Sequence, residues 1–167
     1  MSLLKFRQRV VAPVMEADEF GAFADNSVLL KHLTTTITST QLLALFATPR
    51  AIVPAPGANL ATLFLGAMVY KPAGTAYAGI AAGEDLSIKY TDASGLEVSQ
   101  CETTGFLDQA SAQTRWMRPH GAASGVNDLT PIANAVLVMQ LLVGEIITGT
   151  SPLVVRVVYR VLPTVLS

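Results

Sequence analysis

Two histidines, one cysteine and a cluster of cations around the sole tryptophan are the residues of this 167-residue chain whose types could do chemistry. A nucleophile–base–acid relay needs a histidine with a hydroxyl or thiol on one side and a carboxylate on the other. His120 has Ser124 and Asp128 close by in sequence, whereas His32 stands beside Lys31 where an N-terminal stretch meets the rest of the chain. No nucleophile-elbow spacing accompanies His120, and any loop with His, Ser and Asp offers the same ingredients. Cys101 alone excludes an intramolecular disulfide framework, and with two distant histidines it leaves no metal-ligand spacing. The "GTAYAG" run, Gly74 to Gly79, has the glycines of a phosphate loop, but Ile80 and Ala81 stand where Lys and Ser/Thr would be required. Glu84 and Asp85 in "GED" would hold a calcium ion only with loop carbonyls, and the plainer expectation is solvated turn acids. The chain is therefore expected to be no enzyme and to carry no cofactor or metal.

The segment "RWMRPH", Arg115 to His120, puts an aromatic ring among cations, a composition that stacks on a base or a sugar. A net charge of −1 and a pI near 6.1 argue against nucleic acid held by bulk positive potential. Trp116 remains a candidate glycan contact, against the plainer reading that it packs over a loop with Arg115 stacked on it. A second cationic pair interrupts the apolar segment "LVVRVVYRVL". In a strand, Arg156 and Arg160 share a face with Val154, Val158 and Leu162, while Val155, Val157, Tyr159 and Val161 form a wholly apolar face. A helix would also align the arginines, but the density of β-branched valine favours a strand. The apolar face is expected in the core. The cationic face must reach water or carboxylates, because an unpaired buried guanidinium is costly. Arg156 and Arg160 are accordingly candidates for a subunit boundary.

These residues need elements to position them. The chain is 51% hydrophobic and only 14% charged, against ~25% charged in a typical domain. Much of its surface is expected to be covered, by its own core or by other subunits. No membrane segment is expected: the uncharged stretch from 51 to 70 is broken by Pro54, Pro56, Gly57 and Asn59. Nor does the start read as a signal peptide, since Lys5, Arg7 and Arg9 fall where its apolar region would be. In "TSTQLLALFATP", Thr38 and Gln41 have capping-box spacing, which predicts a short helix ended by Pro49. The rest reads as β. "RAIV" and the apolar run "LATLFLGAMVY" come first, then "DLSIKYTDASGLEVSQ" as a hairpin, "NAVLVMQLLV", and the closing arginine strand. Ala110 to Thr130 has little alternation and reads as a long loop. Strands separated by Gly/Pro turns predict an all-β fold, an antiparallel, jelly-roll-like β-sandwich with an extended N-terminal arm and one short helix. The arm is expected over 1–33 and the body over 34–167.

The phrases "ATPRAIVPAPGANLATLFLGAMVY", "AYAGIAAGEDLSIKYTDASG", "ETTGFLDQA" and "GEIITGTSPLVVRVVYRVL" occur in that order. The series resembles small tailed-bacteriophage virion proteins of the head-decoration (cement) type, from about Ile37 to Leu162. The resemblance implies a β-sandwich subunit that forms a homotrimer on the outer surface of the capsid and binds the major capsid protein. It implies neither catalytic residues nor a nucleic-acid or membrane partner. The alternative is a head-fibre or tail-associated carbohydrate-binding β-sandwich that contacts the host surface.

The arm lies outside the resemblance. Its cations come first and its acids (Glu16, Asp18, Glu19, Asp25) later, with large apolar residues scattered among them. Lys5, Phe6, Arg7, Arg9, Phe20 and Phe23 are expected to dock on the capsid. Ordering an arm costs ~1–2 kcal/mol per residue, which only many contacts offset, and a lattice supplies them in multiple copies.

Overall fold

The structure, a computed structural model, describes residues 29–120 and 130–164. Its elements are β1 (Lys31–Ile37), α1 (Ser39–Leu43), β2 (Arg50–Val53), β3 (Leu60–Lys71) and β4 (Leu86–Tyr90), then β5 (Glu97–Cys101), β6 (Gln113–Met117), β7 (Leu137–Leu141) and β8 (Leu153–Pro163). They form two four-stranded sheets, ordered β1-β8-β3-β6 and β2-β7-β4-β5, in which every pairing is antiparallel. The chain changes sheet at every connection except the β4–β5 hairpin, which is the winding of a jelly roll.

Alternation along the strands builds the core. The first sheet turns Ile37, Phe64, Ala67, Val69, Leu153, Val155 and Val157 inward. Ile52, Leu86, Ile88, Tyr90, Leu137, Met139 and Leu141 meet them from the second. A buried phenol ties the layers, Tyr90 donating to the carbonyl of Thr62, and a second, Tyr77, ties the β3–β4 connection to the β7–β8 connection through the carbonyl of Ser151. Both edges are also stitched. Thr35 Oγ1 donates to the Ile52 carbonyl at the β1–β2 side, and Ser99 Oγ to the Arg118 carbonyl at the β5–β6 side. β7 is buried along its whole length, and on its outer side Gln140 Nε2 donates to the carbonyl of Ala93 in the hairpin turn.

The expected strands at Arg50, Leu60, Leu86, Glu97, Leu137 and Leu153 are all present. The capping box also forms: Gln41 N–H donates to Thr38 Oγ1 at 3.2 Å, and Thr38 N–H to Gln41 Oε1 at 3.0 Å. Three expectations need correction. The helix ends at Leu43, well before Pro49. Past Leu43 the chain continues as turns, in which Leu45 is buried and Phe46 exposed. The first sheet begins at Lys31, inside the stretch assigned to the arm, and β1 pairs with β8 over its full length. Finally, the expected loop from Ala110 to Thr130 contains β6, an edge strand on β3. Two of its three inward positions are the polar Gln113 and Arg115, and only Met117 is apolar and buried, so the usual apolar alternation is missing. Among the described residues, no helix is long and apolar enough to cross a membrane.

Candidate functional site

The outer face of the β1-β8-β3-β6 sheet carries three exposed large hydrophobic side chains, Met68, Tyr70 and Trp116. None of its four strands contains an aspartate or glutamate. From β8 it presents Arg156 and Arg160, both exposed, between half-buried Val154, Val158 and Leu162. The other face of β8 is core, with Leu153, Val155 and Val157 fully buried, as the alternation predicts. Neither guanidinium has a hydrogen bond or ion pair among the described residues. Register places the large side chains beside them. Thr34 of β1 lies opposite Arg156, Arg156 opposite Met68 of β3, and Met68 opposite Trp116 of β6. Met68 is 41% exposed, Tyr70 39% and Trp116 55%.

The position of Trp116 depends on a glycine. β3 carries an irregularity between Phe64 and Gly66, and Gly66 has φ +152°, a conformation that favours glycine. A Cβ on Gly66 would meet Trp116 Cζ2 at 2.6 Å, so the indole lies on bare backbone. The ring divides two open grooves. One, of about 330 Å³, is lined by Leu30, His32, Met68, Val158 and Arg156. The other, of about 350 Å³, is lined by Gln100, Arg118, Pro119 and His120. A flat aromatic wall beside an apolar floor, with cations around it, suits an apolar or aromatic group that carries negative charge next to it.

Arg115 does not stack on Trp116, contrary to the plainer reading of the sequence. Its guanidinium sits 5.3 Å from the centre of the Phe106 ring and donates to the Gly105 carbonyl. Residues 115 and 116 are adjacent in a strand and point to opposite faces, so only Trp116 reaches the outer one.

The candidates for chemistry are placed differently from the relay that their types suggest. His120 Nε2 lies 3.2 Å from Glu97 Oε1, and Ser87 Oγ donates to Glu97 Oε2 at 2.5 Å. The order is hydroxyl, carboxylate, imidazole, which places the acid in the middle where a relay has its base. Ser124 and Asp128 lie outside the described residues. Cys101 is half-buried, and burial pushes its thiol up from the usual range, with Arg115 opposing and Asp85 and Glu102 reinforcing the shift. The glycine run is filled from within: Tyr77 is buried and Gly149 packs against its ring. Glu84, expected in solvent, is 1% exposed, and its Oε2 accepts from the Ala81 N–H at 2.6 Å. It closes a turn from inside, which a sequence of Gly, Glu and Asp does not distinguish from a solvated turn. No group of three or more His, Cys, Asp or Glu able to hold a metal occurs among the described residues.

Sequence reasoning singled out Trp116, Arg156 and Arg160 for separate reasons, and the sheet brings Trp116 and Arg156 to the same groove. It missed Gly66 and Met68, although a glycine inside the apolar run "LFLGAMVY" is a signal for a bulge or a close approach. Lys5, Phe6, Arg7, Arg9, Phe20 and Phe23 lie outside the described residues. Compared with family models, curated proteins and solved structures, the chain matches none.

Proposed function

We propose that the chain is a non-enzymatic virion structural protein, a decoration (cement) protein that binds the outside of a phage head as a homotrimer and stabilises the lattice. The observation that carries this reading is the outer face of the β1-β8-β3-β6 sheet, with Trp116, Met68 and Tyr70 exposed among arginines and no carboxylate on its strands. Contiguous exposed apolar surface marks a contact with another macromolecule, and aromatic, Met and Arg side chains are the types enriched in such contacts. The order of the four phrases quoted above supports placing that contact on a capsid. The jelly-roll winding adds only an analogy of architecture, since capsid and lectin domains share it. A cover bound in many copies would stabilise the lattice by mass action, and its neighbours would hold each weak contact in place.

The test is reconstitution on undecorated heads. The full chain is expected to sediment with the heads and to raise the temperature at which they open, and to have the mass of a trimer in solution. A monomer that neither sediments with heads nor protects them overturns the reading.

The exposed indole favours one other reading, a carbohydrate-binding sandwich that contacts the host surface. Sugar rings stack on such walls while side groups bond to the polar rim. A glycan array with the wild-type chain and Trp116→Ala separates the two: binding that disappears in the variant selects the lectin, and an empty array removes it.

A further inference from the structure

We infer that the outer face of the β1-β8-β3-β6 sheet is the receptor for the acidic, aromatic part of this chain's own N-terminal segment, residues 16–25, with Phe20 and Phe23 in the grooves beside Trp116 and the carboxylates on Arg156 and Arg160. The inference goes beyond the decoration reading and is made for the chain free of heads, where no other partner holds this face.

The segment and the face are complementary in charge. Residues 16–25, "EADEFGAFAD", contain four carboxylates and no cation. The four strands of the face contain Lys31, His32, Arg156 and Arg160 among others, and no carboxylate. The exposed guanidiniums lack partners among the described residues, and four acids of the described chain are engaged elsewhere. Glu84 is buried, Glu97 holds His120 and Ser87, Asp85 accepts from Gln100, and Glu145 accepts from the N–H of Ala47.

The segment also joins the body beside this face. Leu30, the residue before β1, lines the first groove together with Lys31 and His32, so the chain arrives at the mouth of the site. Three inter-strand steps separate β1 from β6, about 14 Å at ~4.8 Å each. Phe23 is seven residues before Leu30, and seven residues reach up to ~23 Å. Asp25 is five residues before Leu30, within ~16 Å, and β8, which bears Arg156, is one step from β1.

The residue types match as well. The segment spaces two phenylalanines three apart among small residues, Gly21, Ala22 and Ala24. One groove lies on the face and the other over its β6 edge, where Gln100 of β5 and Arg118, Pro119 and His120 line it, with the single indole between them. Ring-on-ring contact beside Arg–carboxylate pairs combines the two interactions this surface is equipped to make. Docking of residues 16–25 here also leaves Lys5, Phe6, Arg7 and Arg9 for a different partner.

Because Trp116 is the only tryptophan, its fluorescence reads this site directly in the full chain. Acrylamide, a neutral quencher, avoids attraction to the arginines. In the wild-type chain the indole is expected to be shielded, with a blue-shifted emission. Phe20→Ala with Phe23→Ala, or Glu16→Lys with Asp18→Lys and Glu19→Lys, is expected to shift emission to the red and raise the quenching constant several-fold. Arg156→Glu with Arg160→Glu is expected to do the same, and its combination with the three lysine substitutions to restore shielding. Shielding that survives dilution assigns the segment to its own sheet, and shielding lost with dilution assigns it to a neighbouring copy; either supports the docking. An indole as accessible in the wild-type chain as in every variant, or shielding that none of the substitutions changes, overturns it. Heads still decorated by a chain whose indole never responds would sink the docking alone, and a responsive indole in a chain that ignores heads would sink the decoration reading alone.

Discussion

The indole of Trp116 rests on the α-carbon of Gly66, so closely that a methyl group there would come within 2.6 Å of the ring. An edge strand thus covers the bare backbone of its neighbour at the point where that neighbour is irregular. The contact accounts for both partners. Glycine supplies the backbone conformation and the clearance, and the large ring closes the gap that a missing side chain would leave in the sheet's outer surface. One side of the ring is used in this way, and the rest forms the wall between two grooves.

Gly66→Ala is therefore expected to destabilise the fold by about 1–3 kcal/mol, from the strained φ and the displaced indole together. Trp116→Ala alone should cost less, because the ring is more than half exposed. In the double variant the steric part disappears and the backbone part remains, so the two losses should not add. Denaturant unfolding of the three variants measures this, and strict additivity would mean that ring and glycine do not interact.

The body of the fold was legible because its inward positions are apolar. Leu86, Ile88 and Tyr90 alternate with Ser87 and Lys89, and β8 separates a valine face from an arginine face. β1 and β6 were not legible, because they are the edge strands of their sheet and bury little. β1 offers the core mainly Leu33 and Ile37, and β6 mainly Met117, with Arg115 bonded to the Gly105 carbonyl and Gln113 to Ser111. The candidate site suffered most from this gap. Trp116 and Arg156 are forty residues apart in sequence, and only the pairing of β6 with β3 and of β3 with β8 brings them to one groove.

Alkaline pH should unfold the protein through its two buried phenols. Burial pushes both Tyr77 and Tyr90 up to about 12 from the ordinary 10.0. The folded state thus holds these protons more tightly than the unfolded one. Their contribution is fully present below pH 10 and is lost as pH rises from 10 toward 12. Tyr90→Phe should reduce this alkaline slope and, at neutral pH, cost about 1 kcal/mol for the lost bond to the Thr62 carbonyl. Melting temperature against pH for both proteins is the measurement. Equal slopes above pH 10 would exclude Tyr90 as a source.

The capping box should matter more to its surroundings than the length of α1 suggests. Thr38→Ala removes the acceptor for the Gln41 N–H, at a cost of about 1 kcal/mol. Gln41→Ala removes only the returning bond to the Thr38 N–H, which is exposed to water, and should cost less. Since α1 joins β1 to β2 and seats the buried Leu42, both losses should appear in global unfolding rather than in local fraying. Thr38→Ser, which keeps the hydroxyl, should stay close to wild type in the same chemical melts.

Lys71 is the one fully buried lysine among the described residues, and it organises the turn that faces it. Its Nζ donates to the Gln109 carbonyl at 2.6 Å and to that of Pro72 at 3.4 Å. Burial lowers its pKa from 10.5, and the charge of Asp108 opposes that shift. The sign is opposite to that of the tyrosines: the folded state disfavours the protonated lysine, so its contribution to stability rises as pH climbs from the lowered value to 10.5. Lys71→Met keeps the volume and removes the desolvation cost, but it strands a closely bonded carbonyl inside the fold. Hydrogen bonds to charged groups are worth about 1.5–3 kcal/mol, so the variant should be less stable despite its apolar side chain. The loss should concentrate nearby, with faster hydrogen exchange at the Gly74 N–H bonded to Ala110 and the Tyr77 N–H bonded to Leu107. A variant that melts higher than wild type with unchanged exchange at those amides would mean that water already serves the Gln109 carbonyl and that the lysine is a burden on the fold.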